Sequence, residues 1–214
     1  MADLPPTIDG KCGQRRVLLV SDDNSMTVGR LIILEGLDRA GKTIQSEKLV
    51  EVLSQSRECT LLKFPDRSTP IGKMIDEYLK GATEMNDQMI HLLFSANRWE
   101  CAGKIRQLLE AGHDVVVDRY KYSGIAFSSA KGLDIGWCAA PDEGLPEPWL
   151  VIFLDVSTPV AEQRGGYGEE RYERREFQQA VRQQFLKLKD EKWAWVSADG
   201  TVDEVHEQIV ALVK

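Results

Sequence analysis

Five short apolar runs punctuate the chain: Leu31–Leu34, Cys59–Lys63, Asp114–Asp118, Leu150–Asp155 and Trp193–Val196. Each has four to six residues, the length and branching of a buried strand. Between them the apolar positions recur at helical spacing. Ile44, Leu49, Val52 and Leu53 start a helix after Thr43, and Ile71, Ile75 and Leu79 mark the inner face of another, ended by Gly81. A longer helix spans Asp87 to Ala111 and breaks at Gly112-His113; shorter ones cover Ser123 to Ala130 and Thr158 to Arg164. A charged helix runs from Glu170 to about Lys192, and Val202, Val205, Ile209 and Leu212 give an amphipathic closing helix. Phe64–Pro70 reads as a loop kept out of any helix by its two prolines, and residues 132–148 read as an irregular connection. Strands alternating with helices call for an α/β fold: a parallel five-stranded sheet with right-handed crossovers and helices on both faces.

Residues 1–29 read differently. Val17–Val20 is the one apolar cluster there, too short for a signal-peptide core, and Asp3, Asp9, Asp22 and Asp23 argue against a mitochondrial presequence. The stretch reads as a weakly ordered extension to a single domain over 30–214, with Met26 as an alternative start; the competing reading makes Val17–Val20 an edge strand. A length of 214 residues suits one domain with a full core. The net charge of −7 argues against a general nucleic-acid or anionic-membrane surface, and no apolar run approaches bilayer length. Cys12, Cys59, Cys101 and Cys138 are scattered without a C-x-x-C pair, which points to reduced thiols in a cytosol-like compartment and away from structural zinc.

The first strand runs straight into Gly36-Leu37-Asp38-Arg39-Ala40-Gly41-Lys42-Thr43, which fits G-x-x-x-x-G-K-[ST] at every fixed position and opens a helix. Gly36 and Gly41 let the backbone curl its N–H groups toward an anion, and the helix start adds unpaired donors and the positive end of its dipole. Lys42 supplies a point charge for the outer phosphates and Thr43 a hydroxyl for magnesium. This loop is expected to bind a nucleoside triphosphate, giving the P-loop NTPase fold. Asp114–Asp118, rich in valine and ending on an acid, resembles a Walker-B strand, with Arg119 at once following. Ligands of open α/β sheets sit at the carboxyl edge of the strands. There the phosphate loop, Phe64–Arg67, Asp118–Ser123 and Arg164–Tyr172 converge, with Arg98 beside them. Arginine suits phosphate because its planar fork gives parallel donors and stays charged. Arg67 and Arg119 are read as phosphate-handling, Arg171 as a structural or solvated pair, and Arg164 as either.

EGLDRAGKT (35–43), FPDRST (64–69), HLLFSANRWE (91–100), VVVDRYKYSGIAFSSAKG (115–132), CAAPDEGLP (138–146) and GEERYE (168–173) together resemble the thymidylate kinases in their eukaryotic form. The likeness covers nearly everything from Arg30 onward. It implies transfer of the γ-phosphoryl of ATP to thymidine monophosphate, with Mg2+, in a cytoplasmic or also nuclear homodimer that needs no nucleic acid or membrane. By the same resemblance, Gly36 through Thr43 and Arg164 bind ATP. Asp38 holds the deoxyribose 3′-hydroxyl, and Arg39 sits on the transferring phosphoryl. Phe64 lies by the sugar, Arg67 clamps the acceptor phosphate, and Phe94 stacks on thymine. Arg98 bonds a base carbonyl, with Ser123 nearby. Thr43 and Asp118 serve magnesium, partly through water, and Arg119 is a second phosphate ligand. Residues 164–172 form a lid, and Tyr172 reaches the acceptor. Arg39, Lys42, Arg67, Asp118 and Arg119 make up the implied catalytic set. Family members with an arginine in the phosphate loop tend to lack catalytic arginines at the lid tip, which Gly165-Gly166-Tyr167-Gly168 matches.

Two positions depart from the pattern. Ile44 replaces a second hydroxyl residue, weakening an α-phosphate contact, and Trp149 stands where aspartate is common. Two rival functions are a kinase for another monophosphate or a nucleoside, and a GTP-driven switch. The switch lacks an N-K-x-D element for guanine and leaves Phe64, Arg67 and Arg98 without a purpose.

Overall fold

The computed structural model describes residues 28–164 and 170–214. Most of the expected extension, 1–27, and the lid residues 165–169 lie outside that range. Five parallel strands, β1 (Leu31–Gly36), β2 (Cys59–Lys63), β3 (Asp114–Asp118), β4 (Leu150–Asp155) and β5 (Trp193–Ser197), are ordered β2-β3-β1-β4-β5. This is the parallel five-stranded sheet that the alternation of elements calls for. The helices are α1 (Lys42–Leu53), α2 (Pro70–Leu79), α3 (Asp87–Glu110), α4 (Lys121–Ala130), α5 (Ile135–Ala139), α6 (Thr158–Gln163), α7 (Arg175–Leu188) and α8 (Val202–Val213). One group, α1 with α8, and another, α4 with α3, α5 and α7, sandwich the sheet.

β1, β3 and β4 are the continuous apolar runs because the layers cover both their faces: Ile32, Ile33, Val115, Val116, Val117, Val151, Ile152 and Phe153 are all fully buried. Burying each of these side chains stabilises the fold by about 1.5–3 kcal/mol before entropy is counted. β2, expected to be buried, is an edge strand and only half-buried, since a single neighbour covers it.

Several local expectations are corrected. Pro70 begins α2 instead of closing a loop; Thr69 caps that helix by accepting from Gly72 N, and proline fits the first helical position because its missing N–H is unpaired there anyway. Residues 132–148 are not wholly irregular. Asp134 caps α5 by accepting from Trp137 N, and a 3₁₀ turn, Ala140–Asp142, follows. α4 starts two residues earlier than expected. The charged helix begins at Arg175 and ends at Leu188, since Glu170, Arg171 and Glu173 ahead of it are committed to tertiary ion pairs. In α8 the buried face is Val205, Ile209 and Val213, while Val202 and Leu212 are exposed. Trp149 also gains a physical account: its ring lies 5.1 Å from the Arg30 guanidinium, which pairs in turn with Asp114.

Candidate active site

The phosphate loop leaves β1 at the centre of the sheet. A side chain on Gly36 would put its Cβ 2.5 Å from the Leu154 carbonyl oxygen, so only glycine lets the loop lie against β4. Gly41, at φ 89°, turns the chain into α1, which no side chain caps; its first N–H groups are left to an anion. Lys42 folds back, donating from Nζ to the carbonyls of Leu37 (2.5 Å) and Gly36 (3.2 Å). Burial, and then the nearby Arg119 guanidinium, pull its ammonium down to about 7 against the opposing pull of Asp118, Asp38 and Glu35. Thr43 donates to Asp118 Oδ2 at 2.6 Å, and Lys63 Nζ donates to the Thr43 hydroxyl at 3.0 Å. The other oxygen, Asp118 Oδ1, is buried without a hydrogen-bond partner. A buried carboxylate oxygen without a donor, beside a hydroxyl at the start of α1, fits a divalent cation held jointly with a nucleotide. Among the described residues no group of three or more His, Cys, Asp or Glu could hold a metal alone.

Beside the loop, one cavity is lined by Asp38, Phe64, Arg67, Phe94, Arg98, Arg119, Ser123 and Tyr172, together with Pro65, Leu79 and Phe127. All eight positions that the resemblance assigns to the acceptor nucleotide therefore meet in one place. A second cavity is lined by Arg39, Ala40, Gly41, Ile44, Arg164, Thr201 and Val202 on the opposite side of the loop. Arg164 anchors it, donating to the carbonyls of Arg39 and Ala198 at 2.6 Å each. Ile44 is half exposed at its mouth.

Arg39, Arg67, Arg98, Arg119 and Arg171 are each held by a carboxylate. Arg39 pairs with Glu173 (2.8 Å), and Arg67 with Asp76 (2.6 Å) and Glu170 (2.7 Å). Arg119 pairs with Asp38 and donates to the Gly36 carbonyl and the Ser123 hydroxyl, both at 3.1 Å. Arg171 binds Glu84 and the Tyr78 carbonyl, the structural pair expected of it. Tyr172 stacks on Phe177 and shares its hydroxyl with Tyr78 and Lys131; burial raises its pKa.

Residues outside the expected set complete the geometry. Glu35, fully buried, accepts from Tyr120 N (2.9 Å), Ser123 N (3.0 Å) and Ser123 Oγ (2.5 Å), so β1 supplies the cap that α4 lacks. Burial pushes its carboxyl up against the lowering effect of those donors and Arg119. Gln178 of α7 bridges Asp38 and the Tyr172 carbonyl (2.6 and 2.9 Å). Asp142 grips Arg98. A charged residue inside an otherwise apolar strand is a readable sign of Glu35; nothing local marks Gln178.

Known proteins share this sequence over most of its length. A family model described as thymidylate kinase matches residues 34–209. The chain belongs to the thymidylate kinase family. The thymidylate kinase of Schizosaccharomyces pombe is 52% identical over 192 residues, covering 86% of this chain and 91% of that one. The human thymidylate kinase is 46% identical over 189 residues, covering 86% and 89%. The solved structure of a Candida albicans thymidylate kinase matches with a TM-score of 0.82 at 42% identity, covering 87% of this chain and 91% of that one. The kinase fold is thus shared over most of the length. Among the described residues no helix is long and apolar enough to cross a membrane.

Proposed function

We propose that the two cavities flanking the phosphate loop seat the two substrates of one reaction: the protein transfers the γ-phosphoryl group of ATP to dTMP, giving dTDP and ADP. The observation that carries this reading is the meeting of Phe64, Arg67, Phe94, Arg98, Arg119 and Ser123 in one cavity beside the loop. A triphosphatase or switch has no use for such a second compartment.

Transfer asks the protein for alignment and charge neutralisation. The loop N–H groups and Lys42 hold the outer phosphates of ATP, whose base lies toward Arg164. Magnesium, when bound with ATP, supplies positive charge on the phosphate oxygens; Thr43 and Asp118 are the residues that would hold it, and the unpartnered Asp118 Oδ1 fits that use. Arg67 and Arg119 clamp the acceptor phosphate, exchanging their carboxylate partners for it. Arg39 neutralises the group in transit. Asp38 takes the 3′-hydroxyl, Phe64 lies by the sugar and Phe94 covers the base. Residues 164–172 act as the lid. The enzyme works as a homodimer in the cytoplasm, or also in the nucleus. Leu92 and Trp99 (47% and 39% exposed) lie seven residues apart on α3 and support that helix as the contact face.

The test is side-by-side turnover of acceptors with ATP and magnesium. dTMP is expected to be converted to dTDP while dCMP, AMP and GMP react little; a preference for dCMP would overturn the assignment. The Candida albicans relative is described as having broad substrate specificity, which makes a wide panel worthwhile.

A further inference from the structure

The Arg98 side chain is 3% exposed and yet lines the acceptor cavity. It is fixed from two directions. Asp142, in the 3₁₀ turn after α5, accepts from Arg98 Nε (3.1 Å) and Nη2 (2.6 Å) and is itself 1% exposed. Across from it lies the α4 backbone at Gly124, where a Cβ would come within 2.7 Å of Nη2 and 3.1 Å of Nη1. The Asp142 carboxylate is oriented in turn by the Ser95 hydroxyl at 2.8 Å. The turn that carries it is tied to α3 through the Pro141 carbonyl, which accepts from Ser95 Oγ (3.0 Å) and Trp99 Nε1 (2.8 Å). Among the described residues, Arg98 Nη1 donates to nothing.

We infer that Asp142 is a specificity-determining positioning residue: it holds Arg98 so that Nη1 alone faces the acceptor base, and so selects a base that offers a carbonyl there. This rests on the reading of the cavity as the acceptor-nucleotide site. A guanidinium has donors and no acceptor. A ring carbonyl satisfies it, whereas an exocyclic amine leaves two donors facing one another in a desolvated place, and sites built on such a bond reject the wrong partner strongly. Asp142 also cancels the buried positive charge, so an uncharged base meets a neutral pair. Without the carboxylate, the guanidinium loses both its plane and its reason to stay beneath α4.

The experiment measures kcat and KM for dTMP and for dCMP in the wild type, Asp142→Asn and Ser95→Ala. In Asp142→Asn one amide hydrogen opposes a guanidinium donor, so KM for dTMP is expected to rise about 10- to 100-fold. Its kcat and its KM for ATP should stay within a few-fold, and the dTMP-to-dCMP ratio of kcat/KM should fall by the same factor as KM rises. Ser95→Ala, which removes one bond to the carboxylate and no charge, moves the ratio the same way by less, and decides the matter if Asp142→Asn does not fold. An unchanged ratio in the folded variants, with only a lower melting temperature, overturns the inference and leaves the function standing. A wild type without preference for dTMP over dCMP instead overturns the reading of the cavity itself.

Discussion

Arg39 and Arg119 both hold φ near +60° (62° and 67°), a region that side chains larger than glycine rarely enter. Each aims a guanidinium along the face of the phosphate loop, and the surrounding ion pairs keep it there. An arginine on a phosphoryl group in transit is worth about 10³–10⁵ in rate. Arg39→Ala should therefore lower kcat by that order while KM for dTMP stays within a few-fold, as steady-state kinetics would read it. A large rise in KM with kcat intact would remove Arg39 from the transfer step. The positions of Arg67, Arg98 and Arg119 beside the cleft were legible in the sequence, since each sits in or next to a turn at a strand end or within a dense motif. The partners of those arginines were not. Glu170, Asp38 and Asp142 lie 103, 81 and 44 residues from Arg67, Arg119 and Arg98, distances no local pattern spans.

At the scale of elements, hydrophobic periodicity carried furthest where tertiary contacts agree with it. The five strands, and α3 from Asp87 to Glu110, follow their apolar patterns closely. It misled where side chains are committed to other elements: residues 170–174 look helical by composition, but Glu170, Arg171 and Glu173 are taken by Arg67, Glu84 and Arg39. The joint between β1 and α4 shows the same dependence on distant partners, since Glu35 satisfies two buried N–H groups and one hydroxyl of the segment that carries Arg119 and Ser123. Removing it strands those donors at a cost of about 1–3 kcal/mol each. Glu35→Ala should accordingly lower the melting temperature by several degrees or more and raise KM for dTMP more than KM for ATP. A variant as stable as the parent, with both KM values unchanged, would show that the joint holds without it.

At the scale of the whole molecule, the exposed apolar positions of α3, Met89, Leu92 and Trp99, lie on one side of that helix and away from the cleft residue Arg98. Burying such a stripe against a second copy is the economical solution to its exposure. Sedimentation should report a dimer for the parent chain and a monomer for Leu92→Glu, whereas a monomeric parent would remove α3 as a subunit contact. The cleft lies at the carboxyl ends of β1 and β3, with one cavity on each side of the phosphate loop. That two-sided arrangement, one compartment for a triphosphate and another for its acceptor, is the claim on which the remaining assignments depend. Calorimetric titration with adenosine and thymidine joined 5′ to 5′ through a chain of phosphates tests it most directly. One molecule should bind per chain, and saturating ATP or saturating dTMP alone should each displace it. Displacement by ATP only, with no competition from dTMP, would contradict the account.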